Sequence, residues 1–181
     1  MTSPLPVRKK NRLPNWDYRT HGLYFVTVCT QEHKNTLCRI VGDGFPVPKN
    51  TGKIAEAVLL DIPRKYSGVS IDKYVIMPNH IHILLFLHNE SGTADPSPTK
   101  AGCVSGGTGN PSPTLGSVIG WYKYQVTKEV NRESGTAGTR IFQRSYHDHV
   151  VRNEQDYLRI WEYIENNPVK WKEDCFYKEE Q

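Results

Sequence analysis

The chain has 181 residues, a formal net charge of +4 at pH 7, 37% hydrophobic residues and 23% charged residues. That length suits one domain with a core large enough to fold alone, and so small a net charge does not by itself mark a nucleic-acid protein. Nothing resembles a signal peptide, no apolar stretch reaches the roughly 18 residues of a membrane span, and Cys29, Cys38, Cys103 and Cys175 form no C-x-x-C pair, so free thiols in a reducing cytoplasm are expected.

The distribution of charge is more informative than its sum. "PVRKKNR" gathers Arg8, Lys9, Lys10 and Arg12 in a proline-flanked arm, with Trp16 and Tyr18 close behind. Basic side chains beside aromatic ones suit phosphate contacts and base stacking, although a solvated tail has the same composition. Residues 1–20 are read as this arm.

"GLYFVTVCT" is rich in β-branched and aromatic residues and predicts a first strand. "FPVPKNTG" reads as a proline-broken connection. In "KIAEAVLLDIPRKY", Ile54, Val58 and Ile62 recur at helical spacing, with Asn50 or Thr51 as N-cap and Pro63 as a stop or kink. "VSIDKYVIM" and "HIHILLFL" predict a hairpin around Pro78 and Asn79. Residues 89–113 turn to Gly, Ser, Pro and Thr and read as a flexible inserted loop.

A second helix is expected near Thr114, with Leu115, Val118, Ile119, Tyr122, Val126 and Val130 on one stripe and Lys123, Lys128 and Arg132 elsewhere. Those three charges suit either DNA or solvent. "TRIFQRSY" reads as a fourth strand, and Glu154 to Asn167 as a third helix. The order predicts an α+β fold, a ferredoxin-like antiparallel sheet (β-α-β-β-α-β) with an added C-terminal helix. One domain over 21–175 and a tail at 176–181 are expected.

Two histidines interrupt the second strand of the hairpin. Side chains alternate along a strand, so His80 and His82 share one face, about 7 Å apart along the chain. Leu84 and Phe86 continue that face, and Ile81, Ile83, Leu85 and Leu87 line the other. Two imidazoles so placed can converge on one cation, their second nitrogens held by outer acceptors, or can sit inert at the sheet margin. "YHDHVV" offers a rival set, His147, Asp148 and His149, placed in a loop as ligands or a phosphate contact.

On the last helix, Tyr157, Ile160, Trp161 and Ile164 mark the buried stripe. Tyr163 falls about 120° from its centre, and Asn167 lies one turn further on. Asn167 precedes Pro168, which disfavours α conformation there, so its amide is either a helix cap or a ligand for a hard divalent ion. A phenol beside a cation site suits attack on phosphorus, provided it can lose its proton.

"NRLPNWDYRTHGLYFVTVCT", "YVIMPNHIHILL" and "FQRSYHDHVVRNEQDYLRIWEYIENNPVKW" together resemble the HUH single-tyrosine transposases, most closely the REP-associated tyrosine transposase branch. The resemblance spans most of the chain. It implies His80, His82 and Asn167 as ligands of Mg²⁺ or Mn²⁺ and Tyr163 as the nucleophile on the C-terminal helix. It also implies single-stranded or hairpin DNA as partner, cut through a 5′-phosphotyrosine bond and rejoined without ATP. Arg8, Lys9, Lys10, Arg12, Lys123, Lys128, Arg132 and His149 are candidate DNA contacts, and Tyr124 competes for the nucleophile role. A hairpin-binding module that no longer cuts, or a nuclease using activated water, stays open, as do monomer and homodimer. Two features depart from the family pattern: the long insertion at 89–113 and the short end after "NNPVKW".

Overall fold

The computed structural model describes residues 20–88 and 113–179. Arg8, Lys9, Lys10, Arg12, Cys103 and nearly all of the expected inserted loop lie outside the described residues.

Four strands form an antiparallel sheet: β1 (Gly22–Cys29), β4 (Val69–Ile76), β5 (His80–Leu87) and β6 (His147–Val151), in the order β4-β5-β1-β6. This mixed α/β arrangement is ferredoxin-like, with β5 between β1 and its hairpin partner β4. A separate two-stranded ribbon joins β2 (Cys38–Val41) to β3 (Phe45–Pro48). The proline-broken connection is therefore a strand after all. Pro46 and Pro48 are tolerated because a two-stranded ribbon has an open side that needs no amide donors.

One face of the sheet carries the main core. Ile81, Ile83, Leu85 and Leu87 of β5 and Tyr24, Val26 and Val28 of β1 pack there against α1 (Asn50–Leu60), α2 (Ile62–Lys65) and α3 (Leu115–Ser134). The apolar stripe expected on α3 is the one buried, from Leu115 through Val126. Thr114 caps that helix reciprocally with Ser117. On α1 the expected cap fails: the helix begins at Asn50, so Lys49 holds the N-cap position with no side-chain acceptor, and the Asn50 amide instead donates across to Glu133 Oε2 on α3 at 2.7 Å. Pro63 sits in the first turn of α2, where its missing N–H costs nothing, and so separates the two helices.

The opposite face is covered by α4 (Glu154–Asn166) through a small cluster of Leu84, Ile160 and Ile164, with Leu23, Phe25, Val75, Val151 and Tyr157 around it. Trp161, expected within the stripe, is 38% exposed and instead lies under Lys73, whose ammonium stands 3.3 Å from the ring centroid and pairs with Glu165.

The fourth strand is shifted along the chain. "TRIFQRSY" contributes only a single bridge, Phe142 to Thr30, and β6 begins at His147. Lys123 Nζ collects the carbonyls of Gln143, Arg144 and Ser145, which draws those groups away from the sheet ladder. His147, Asp148 and His149 are thus strand residues rather than a loop. After α4, Asn167 keeps α conformation (φ −58, ψ −42) in spite of Pro168. The chain continues to turn, with the Lys170 N–H donating to the Asn166 carbonyl, and folds back through a short 3-10 turn at Trp171–Glu173. The ribbon supports this return: a Cβ on Gly44, whose φ is +103, would stand 2.5 Å from the Val169 Cα.

Candidate active site

His80 and His82 project from β5 onto the face that α4 covers, and both are fully buried. Their Nε2 atoms lie 3.0 Å apart. The outer nitrogens are each held: His80 Nδ1 bonds Asn79 Oδ1 at 3.0 Å, and His82 Nδ1 bonds Thr27 Oγ1 at 2.9 Å. The Asn79 amide donates to the His33 and Phe176 carbonyls, which leaves its Oδ1 as an acceptor. His80 therefore carries its proton on Nδ1 and presents the Nε2 lone pair inward. Register places Thr27 and His147 in one row with His82, and Cys29 beside His80.

The third member is Asp174, delivered by the return segment. His80, His82 and Asp174 bring ligand atoms within 4.8 Å of one another, a His/His/Asp cluster able to coordinate a metal ion. The Asp174 side chain is only 2% exposed, and its Oδ2 stands 4.0 Å from His80 Nε2. It is fixed in place through Oδ1, which accepts from the Phe176 N–H at 2.7 Å.

The donor set fits a metal ion. Two ligands at right angles on an ion about 2.1 Å away would be separated by about 3.0 Å, as the two imidazole nitrogens are. Asn167 is also buried; its amide nitrogen donates to Asp174 Oδ2 at 3.0 Å, while its Oδ1 has no hydrogen-bond partner among the described residues. Burial lowers the His80 pKa to about 4, and burial together with its neighbour His80 takes His82 well below its ordinary value. Both rings are neutral near pH 7 and ready to donate lone pairs.

Tyr163 approaches from α4. Its hydroxyl lies 3.3 Å from His82 Nε2 and donates to Asp174 Oδ2 at 3.3 Å. The ring stands edge-on to Phe25, with centroids 6.1 Å apart. Burial first, and then the Asp174 charge, push the phenol up to about 12. A cavity of about 460 Å³ opens beside it, lined by Arg159, Tyr163, Asn166, Asn167, Lys170 and Asp174 among others.

No family model matches the chain. An uncharacterized protein of Haemophilus influenzae is 31% identical over 171 residues, which cover 94% of this chain and 93% of that protein. The chain belongs to the family of that Haemophilus protein. Among solved structures, a REP-associated tyrosine transposase bound to a REP hairpin aligns with 94% of this chain and 74% of its own, at 17% identity and a TM-score of 0.50. The chain thus shares its fold with that transposase. A candidate transposase from Deinococcus radiodurans aligns more loosely, at 14% identity and a TM-score of 0.46 over 86% of this chain and 95% of its own.

In this family member the other expected residues stand as follows. Lys123 is engaged with three carbonyls, and burial lowers its pKa. Arg132 pairs with Glu129 at 2.7 Å, which offsets its charge. Lys128 is exposed on α3, as is Tyr124 at 63%, and α3 packs on the sheet face opposite the imidazoles. His149 bonds Asp156 Oδ2 at 2.7 Å and tethers β6 to α4. Asn167 does not cap α4 with its side chain, which turns to Asp174 instead.

Asp174 was not among the candidates read from sequence. It sits in "KEDCFYK", a charged stretch with no period that would place a side chain. Its faint signal is an aspartate two residues before an aromatic, the spacing of a local turn closed by its own carboxylate. No helix among the described residues is long and apolar enough to cross a membrane.

Proposed function

We propose that this chain is a metal-dependent transferase of single-stranded DNA, which cuts at hairpin-marked sites and rejoins ends through a 5′-phosphotyrosine bond at Tyr163. The reading is carried by the meeting of the Tyr163 hydroxyl with His82 Nε2 at 3.3 Å, across 81 positions of sequence, beside a buried carboxylate. A phenol merely packed for stability would have no need of two imidazoles and a carboxylate converging on its oxygen. The hairpin partner is proposed by analogy with the structure of shared fold, which is a transposase bound to a REP hairpin.

His80, His82 and Asp174 would hold the cation, with Asn167 Oδ1 as a further donor. Bound there, a divalent ion supplies Lewis acidity toward a phosphate oxygen and offsets the Asp174 charge that raises the phenol pKa. Tyr163 attacks phosphorus: its O–P bond forms, the P–O3′ bond breaks, the phenol loses a proton and the departing 3′-oxygen gains one. Asp174 Oδ2 is the carboxylate to which the phenol already donates. Asn167 steadies that carboxylate, and Phe25 limits the tilt of the tyrosine ring. The same atoms run the reverse step when a 3′-hydroxyl returns, so the phosphodiester energy is conserved in the adduct.

The test is incubation with labelled single-stranded DNA and Mg²⁺ or Mn²⁺, followed by a denaturing gel. A DNA-shifted protein band that disappears in Tyr163→Phe and persists in Tyr124→Phe is expected. Cleaved DNA without an adduct would mean hydrolysis by water. Retention of a hairpin without any cleavage would mean a binding module.

A further inference from the structure

Where β1 ends, the chain makes a strained turn next to the imidazole pair. Glu32 and His33 both hold left-handed backbone (φ 58 and 53), a conformation that non-glycine residues seldom adopt. The turn is clamped from outside: Lys178 Nζ donates to the Glu32 carbonyl at 2.8 Å, and the Asn79 amide donates to the His33 carbonyl at 3.3 Å. The strain places the His33 ring on Phe176, with centroids 5.5 Å apart and planes 21° apart, and Phe176 in turn lies 4.8 Å from the His80 ring. A single aromatic ring therefore separates this turn from the cation site.

Beyond His33 opens a cavity of about 880 Å³. Lys34, Arg39, Lys49 and Lys178 line it, against Glu32 and Glu179, so cationic side chains outnumber carboxylates two to one. Arg39 and Lys34 are exposed, and Lys34 pairs with Glu32 at 3.0 Å near the surface, where such a pair is weak and readily exchanged. Two residues of the cavity wall also carry buried polar atoms without hydrogen-bond partners among the described residues, His33 Nδ1 and Asn35 Oδ1. Lys49 Nζ donates to the Asn35 carbonyl at 2.7 Å, so the cations most open to a ligand are the exposed Arg39 and Lys34.

We propose that this basin binds the phosphodiester backbone of the DNA strand running on from the cleavage site, with His33 as a stacking surface for one base. The inference rests on the single-stranded DNA reading above and adds to it the second surface a strand needs. Cations that meet successive phosphates and a flat ring beside them suit any single strand regardless of sequence. The basin lies at the end of the sheet where β5 begins with His80, so a strand leaving the tyrosine has a short path to it.

The test uses the full chain and compares Lys34→Ala/Arg39→Ala with an equal-charge control, Arg64→Ala/Lys65→Ala, two exposed positions on α2, which packs on the sheet face away from the imidazoles. Binding of a long single-stranded DNA oligonucleotide is measured over a range of salt. The basin variant should lose about five- to tenfold in affinity at low salt, and its log–log salt slope should shrink by about 1.4, since each phosphate contact on a single strand contributes about 0.7. The control should match wild type, and Tyr163 adduct formation on a short oligonucleotide should survive in both variants. Unchanged affinity and slope in the basin variant, with wild type still forming the adduct, overturn this inference alone. Wild-type protein that retains DNA with the expected slope but forms no adduct overturns the transferase reading and leaves the basin standing. Tighter binding of an RNA oligonucleotide, with the same loss in the basin variant, overturns the assignment to DNA.

Discussion

The Tyr163 hydroxyl and Asp174 Oδ2 stand 3.3 Å apart, although one belongs to α4 and the other to the segment that returns beneath it. That contact ties the nucleophile candidate to the cation cluster, because the same oxygen accepts from Asn167 and faces His80. It also sets two tendencies against each other: the carboxylate orients the phenol while its charge holds the proton on.

Asp174→Asn separates those tendencies. Without the negative charge, the Tyr163 phenol should ionise at lower pH than in wild type when no metal is added, as followed by ultraviolet titration with Tyr163→Phe as the blank. Mn²⁺ affinity by calorimetry should fall by about a hundredfold or more, since a first ligand is lost. An unchanged phenol titration would mean that burial alone sets its pKa.

Thr27→Val tests the outer hydrogen bond of His82. The substitution keeps shape and removes the hydroxyl, leaving His82 Nδ1 buried without its partner. Such a loss costs about 1–3 kcal/mol, and outer partners of metal-binding histidines typically contribute about 10–100-fold in affinity. Urea unfolding and Mn²⁺ titration should both register the change. Full affinity in the variant would show that packing alone orients the imidazole.

The histidines also predict how the metal-free protein responds to acid. His80 titrates at about 4 in the fold, and His82 lies well below its ordinary value, in both cases chiefly through burial. The unfolded chain takes up those protons near pH 6.5, so the native state binds fewer of them as pH falls below that value. Their contribution to stability is thus fully present above about pH 6.5 and is lost progressively as pH falls toward 4. Urea midpoints measured across that window should fall with pH, and a His80→Leu/His82→Leu variant should show a shallower decline. A flat wild-type profile would contradict the assignment of buried neutral rings.

The two halves of this site differ in how far sequence reveals them. His80 and His82 obey the period of two that any strand imposes, and Leu115 through Val126 obey the helical one, so local geometry suffices to place them. Tyr163 is likewise set off the α4 stripe by periodicity. Asp174 has no such rule; its position depends on a fold-back held by Asn79 to Phe176 and Lys178 to Glu32, contacts 97 and 146 positions apart. The same reason hides β6: His147, Asp148 and His149 are polar edge-strand residues, and only pairing with Thr27 through Phe25 makes them a strand. Trp161 fails in the opposite way, since its period matches the core but Lys73 offers a better partner at the rim.

The docking of α4 gives the last prediction. Only Ile160 and Ile164 of this helix are buried, against Leu84 and the partly buried ring of neighbours around it. So small a contact makes α4 a region able to open without unfolding of the larger core across the sheet. Ile164→Ala removes three methyl or methylene groups from that contact and should cost about 2–4 kcal/mol locally. Amide exchange should accelerate through Glu154–Asn166 while β5, which carries His80 and His82, keeps its protection. Adduct formation should then drop sharply, because the phenol loses its fixed place beside His82, whereas Mn²⁺ binding by the imidazole pair should survive in part. If exchange rises equally in β5 and α4, the helix is no independent unit, and the positioning of Tyr163 depends on the whole fold.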